Sequence, residues 1–284
     1  LTPARHRSAP PARRPCGLPL RCHVHARTRP VVNYALIAIT TLAFFGQLGA
    51  DLDDPAVVER FGMIPARITE PSEPVMIPDR MIERTRYGPR IVEVVRPAAP
   101  AAVPSLLTLL TCVFLHGGWL HFLGNMWFLW VFGDNVEDRL GHGGYVAFYL
   151  GAGVAASLAH LLADPASPVP TIGASGAVAG VMGAYMLLYP RARVLAAIPI
   201  FFFLHLMVVP APLFLGIWFV LQLFQGVASV TGTVARGVAW WAHIGGFAVG
   251  AGTVWALARM GILRGAVGLR RPGMDQWGRY RRKF

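Results

Sequence analysis

Four side chains between positions 121 and 243 are of the types that together can hydrolyse an amide: His121, Asn125, Ser175 and His243. A serine hydroxyl is a weak nucleophile until a base accepts its proton, and an imidazole with an ordinary pKa of ~6.5 suits that task at neutral pH. In this scheme His243 takes the Ser175 proton during attack and returns it to the leaving amine. The negative charge that develops on the carbonyl oxygen then needs hydrogen-bond donors aimed at it. The candidates are the His121 ring N–H, the Asn125 amide and the backbone N–H of Ser175, the last because Ser175 opens a helix. No carboxylate stands in these segments to orient His243, so the set reads as a dyad. Singly, each residue has a plainer reading. A serine in the run Gly173-Ala174-Ser175-Gly176-Ala177-Val178-Ala179-Gly180 is more often a packing residue, and a histidine near the end of a span is more often interfacial. A shared depth in one bundle would give the four their weight.

The elements that must position them are membrane spans. Hydrophobic residues make up 55% of the 284 and charged ones only 14%, with a mean hydropathy of +0.50. That is too apolar for an ordinary soluble domain. Six spans are predicted: Val31 to Ala50, Trp119 to Val136, Tyr145 to Leu162, Ser175 to Tyr189, Pro212 to Ala228, and Val238 to Leu257. Ile198 to Gly226 is apolar but interrupted by Pro199, Pro210 and Pro212, so Pro199–Val209 reads as a re-entrant or interfacial lead-in to the fifth span. Residues 51–104 form a long polar loop in which Val57–Met63 and Asp79–Arg86 are candidate short helices. Asp134 and Asn135 read as the terminus of the second span, and Gln222 and Gln225 as polar contacts between helices. His116, His142, His160 and His205 take the structural or interfacial reading, and Cys112 that of packing.

Charge orients the bundle. The net charge of +12 lies in the two tails: seven Arg and no acid before residue 31, and eight Lys or Arg against Asp275 from residue 259 onward. Basic flanks mark the cytoplasmic side of a membrane protein, and an even number of spans puts both tails there, together with Arg191 and Arg193. The expected partner of this charge is a lipid bilayer rather than nucleic acid. Residues 1–30 have the composition of a disordered tail, and the spacing of Cys16, Cys22, His23 and His25 matches no strong zinc pattern. Three cysteines make no disulfide framework, and the first 30 residues lack the apolar core of a signal peptide.

With this topology His121 lies near the outer end of the second span and Asn125 one turn deeper on the same face. His243 lies just inside the outer end of the sixth. From Ser175 to Pro190 the fourth span measures only ~22 Å against ~30 Å of hydrocarbon, which sinks Ser175 below the outer surface. All four residues therefore occupy one layer. Small residues at Gly176 and Gly180 on the fourth span, and at Ala242, Gly246 and Gly250 on the sixth, would let those two backbones approach closely.

These motifs, His121-Phe-Leu-Gly-Asn125, Gly173-Ala-Ser175-Gly176 and Ala242-His243-Ile-Gly245-Gly246, resemble those of the rhomboid intramembrane serine proteases, in the same order and frame. The resemblance implies an all-α, six-transmembrane-helix bundle over residues 31–263 that cleaves transmembrane protein substrates near the outer surface. It implies Ser175 as nucleophile, His243 as base, His121, Asn125 and Ser175 as oxyanion donors, Gly173, Gly176, Gly180, Gly246 and Gly250 as site-shaping residues, and no metal or cofactor. It also implies a cap near Ser229–Gly237 and a gate between the second and fifth spans. Two departures stand out: Ala179 holds the position where some relatives place a tyrosine against the catalytic histidine, and the first loop lacks a clear Trp-Arg pair. The rival readings are a catalytically inactive rhomboid-like scaffold and a transporter.

Overall fold

A computed structural model describes residues 26, 28–49, 56–86, 88–200, 203–230 and 238–263. The two tails, apart from residues 26 and 28–30, and most of the predicted cap, 231–237, lie outside these residues. The chain folds into a helical bundle with two β-hairpins between helices. Its long helices are α1 (Val31–Gly49), α5 (Trp119–Leu140), α6 (His142–Ala163), α7 (Ser175–Leu188), α8 (Ala211–Val230) and α9 (Trp240–Arg259); α2 (Ala56–Phe61), α3 (Pro65–Thr69) and α4 (Thr108–Thr111) are short. Among the described residues three helices are long and apolar enough to cross a membrane: Val31–Gly49, His142–Ala163 and Ala211–Ser229. Ser105–Phe114 and Trp119–Leu140, bent by 80° at their junction, together make a fourth candidate.

The centre of the bundle is α7, the shortest of the six, which touches α5, α6, α8 and α9. Residues 176–185 are all buried. Such burial in lipid demands small side chains, because apolar packing gains no hydrophobic drive there and close approach must supply the attraction. The glycines provide it. A Cβ at Gly246 would strike the Gly176 carbonyl, and one at Gly250 the Gly180 carbonyl. On its other face α7 meets α6, where a Cβ at Gly176 would come within 2.5 Å of Ala156 and one at Gly180 within 2.7 Å of Ala152.

At the end of the bundle away from Ser175, α5 runs four residues past the predicted boundary, so Asp134 and Asn135 lie inside the helix rather than at its terminus. The reason is Glu137. Its fully buried carboxylate accepts from the Val32 and Asn33 amides at 3.0 and 2.7 Å, capping the start of α1, and lies 2.5 Å from His142 Nδ1. Negative charge at a helix N-terminus is favourable on both hydrogen-bond and dipole grounds. Asn33 then donates to the Leu129 carbonyl at 3.1 Å and accepts from Tyr145 at 2.8 Å, tying α1, α5 and α6 together.

At the Ser175 end the first loop folds over the bundle. Val57–Met63 is helical as far as Phe61, whereas Asp79–Arg86 is not helical: all but its last residue lies in strand β1 (Met76–Thr85), paired antiparallel with β2 (Gly88–Pro97). The β-branched residues Ile91, Val92, Val94 and Val95 in β2 favour a pleated strand, and Gly88 at φ +117° opens it directly after the turn. Arg96 of β2 fixes the hairpin to α2 through Glu59 at 2.7 Å and ties its own strand to β1 through Asp79 at 2.5 Å. The predicted lead-in at Pro199–Val209 is likewise a hairpin, β3 (Arg193–Ile200) with β4 (Phe203–Pro210). Its prolines deny a helix interior, and the Val, Leu, Ile and Phe around them suit strands.

Candidate active site

The segment that leads into Ser175 is held by protein on each side. Thr171 forms a two-way backbone bridge with Met63, at 3.1 and 2.7 Å, and the Gly173 amide donates to the Cys112 carbonyl at 2.9 Å. A helix that begins inside a bilayer needs such partners, since lipid offers its approach loop none. Ser175 is the first residue of α7, and the first backbone bond of that helix runs from Val178 to Ala174 at 2.9 Å. The amides of Ser175, Gly176 and Ala177 precede it, as unpaired donors at a helix N-terminus do.

His243 stands one turn into α9, with its Nε2 2.8 Å from Ser175 Oγ. Its Nδ1 lies 2.7 Å from Gln222 Oε1 on α8. A carbonyl oxygen only accepts, so the hydrogen sits on Nδ1, and Nε2 is left with a lone pair to which the serine hydroxyl donates. Both Ser175 and His243 are half-buried.

His121 faces the same point. The Cβ that an alanine would add at Gly173 would lie 2.7 Å from His121 Nε2 and 3.5 Å from Ser175 Oγ, so the two groups flank the bare face of Gly173. Gly173 holds φ +125°, a conformation that L side chains rarely adopt. The Gly117 amide donates to His121 Nδ1 at 3.4 Å, which leaves the ring hydrogen on Nε2, the nitrogen turned toward Gly173. Asn125 is buried, and its Nδ2 donates to the His121 carbonyl at 3.0 Å, one turn back on α5. Ser175, His243 and His121 are thus brought together, while Asn125 supports His121 from below. Of the other histidines, His116 is buried with its ring 5.2 Å from that of His121, His142 belongs to the Glu137 cluster, and His160 is half-buried on α6. The side chain of His205 lies outside the described residues.

A Rhomboid domain family model matches residues 104–260, more than half of the chain. The chain belongs to the rhomboid family. Together with its apolar helices this makes it a multi-pass membrane protein. Among curated rhomboids it is 30% identical over 164 residues to "Rhomboid-like protein 11, chloroplastic" of Arabidopsis thaliana, covering 55% of this chain and 54% of the relative. It is 35% identical over 97 residues to "Rhomboid protein 1, mitochondrial" of Saccharomyces cerevisiae, covering 33% and 28% of the two chains. Over 78 residues it is 41% identical to "Rhomboid protease GluP" of Bacillus subtilis, 28% of this chain and 15% of that one. The matches therefore span about half or less of these relatives.

Within this rhomboid, sequence reasoning gave Gln222 only a generic role and passed over the aromatic surroundings of His243. The rings of Trp218 and Trp240 lie 6.0 and 6.1 Å from the imidazole, on the side of α8 and at the start of α9. Ala179, where some relatives carry tyrosine, is fully buried and leaves that packing to the tryptophans. A signal was available: Trp218 and Gln222 are four residues apart on an apolar helix and so share a face.

Proposed function

We propose that this rhomboid is an intramembrane serine endopeptidase. The observation that carries the reading is the 2.8 Å contact between the Ser175 hydroxyl and His243 Nε2, made between two helices whose glycines hold them in backbone contact. As Oγ attacks the carbonyl carbon of the scissile bond, its proton passes to His243 Nε2, giving a tetrahedral intermediate and an imidazolium. The oxyanion is held by the Ser175 backbone N–H and the His121 Nε2–H, with the Asn125 amide completing the set once it turns from its helix. Collapse breaks the C–N bond, and the imidazolium gives its proton to the leaving amine. Water, activated by the same imidazole, then releases the acyl group from Ser175.

The substrates are transmembrane proteins cut near the outer surface of a cell membrane. Residues 31–263 form the protease domain, 51–104 its extracytoplasmic first loop, and 1–30 and 264–284 basic cytoplasmic tails. The Bacillus relative is named a rhomboid protease, which supports the reaction class. Purified protein in liposomes should cleave a model substrate with a small residue at the cut and a loosened helix. A Ser175→Ala variant that cuts at the parent's rate would sink the proposal; ion or solute flux dependent on His121 would favour a transporter.

A further inference from the structure

We infer that Gln222 is the positioning residue for His243, a third member that completes the Ser175–His243 pair; this rests on the hydrolase reading above. A neutral imidazole has two tautomers, and only the one with hydrogen on Nδ1 leaves Nε2 free to accept the serine proton. The acceptor that selects it is Gln222 Oε1, 2.7 Å from Nδ1. Gln222 is itself buried, on a helix whose neighbouring positions are Leu221, Leu223 and Phe224. A buried amide in such surroundings is costly without a partner, so the bond constrains both residues. One turn earlier Trp218 lies against the imidazole, and the two contacts together set its distance and its tilt. The same acceptor steadies the imidazolium, whose Nδ1–H bond strengthens as charge develops. In this chain α8 therefore does what a carboxylate does in a triad, without placing a charge in the membrane.

The test measures cleavage of the model substrate, and labelling of Ser175 by a fluorophosphonate, on the full chain in detergent with Gln222→Leu and Gln222→Glu. Leucine is close to glutamine in volume but cannot accept; glutamate accepts at the same place. The expected result is a kcat about 100-fold lower in Q222L with KM unchanged, the low end of what a well-placed base contributes. Most of that loss should be recovered in Q222E, and labelling should follow kcat. If Gln222 only fills space, the order reverses: leucine is tolerated and the buried acid is harmful, which overturns the inference. A parent that labels at Ser175, beside a Q222L that labels equally fast, overturns the inference alone. A parent that does not label at all overturns the hydrolase reading with it. Both variants are checked for a single species with a parent-like unfolding temperature. Gln222→Met replaces a leucine variant that fails this check, and the split between kcat and KM decides if the glutamate variant fails it.

Discussion

The two ends of the bundle bury polar groups in opposite ways. Around Glu137 the carboxylate, the Asn33 amide, the Tyr145 hydroxyl and the first amides of α1 are bonded to one another. Around Ser175 the groups are equally well placed, but each keeps a valence open. The serine hydroxyl has its base, the first amides of α7 lie ahead of its first helical bond, and His121 turns its Nε2 toward the bare face of Gly173. One cluster is closed and holds helices together. The other is left incomplete, and a reacting carbonyl is what would complete it. Burial alone does not separate structural from chemical polar groups, and neither does a lone unpartnered atom such as the Tyr149 hydroxyl; convergence of several groups on one point does.

Mutations can break this contrast from either side. The largest effect on activity is expected for Ser175→Ala and for His243→Ala: cleavage falls by at least ~10⁴-fold while the unfolding temperature stays near the parent's. Gly173→Ala comes next, since its Cβ would lie 2.6 Å from His121 Cε1 at a φ of +125°. Turnover should drop about 100-fold, with a stability loss of ~1–3 kcal/mol seen by thermal unfolding. Glu137→Ala acts at the closed end. Removing the acceptor strands buried donors, so stability should fall by ~3 kcal/mol while the fraction still folded cleaves at the parent's kcat. Should that variant lose kcat at unchanged stability, the division between the two ends is wrong. The smallest effect belongs to Arg96→Ala in the loop hairpin, because the buried Glu59 carboxylate it pairs with keeps the Ala99 amide at 2.6 Å: about 1–2 kcal/mol in unfolding, with turnover unaltered.

Much of the site could be read from sequence because its logic is one of depth and spacing. The His121–Asn125 pair at one helical turn, the shortness of α7 and the glycine steps on α7 and α9 are all counted in residues. The hairpins escaped for two reasons. At Pro199–Val209 an apolar run broken by proline looks alike as strand and as re-entrant loop. At Asp79–Arg86 a short charged segment has no period that separates helix from strand; tertiary pairing decides both. The inward turn of Glu137 escaped for another reason. An acidic residue at the end of an apolar run resembles a span boundary unless its partners at the start of α1, more than a hundred residues earlier, are known. Gln222 was seen and undervalued, since a glutamine in a membrane helix has many possible neighbours and only the fold selects His243.

The stacking of Gly246 on the Gly176 carbonyl, and of Gly250 on that of Gly180, brings the backbones of α7 and α9 into direct contact at these two steps. Their separation is set by the thickness of two peptide planes, which have no rotamers to populate as the temperature rises. Warming can loosen the aromatic surroundings, yet the gap between hydroxyl and imidazole should hold until the helices themselves part. Activity followed against temperature should therefore end in one cooperative step that coincides with unfolding, without a gradual decline beforehand.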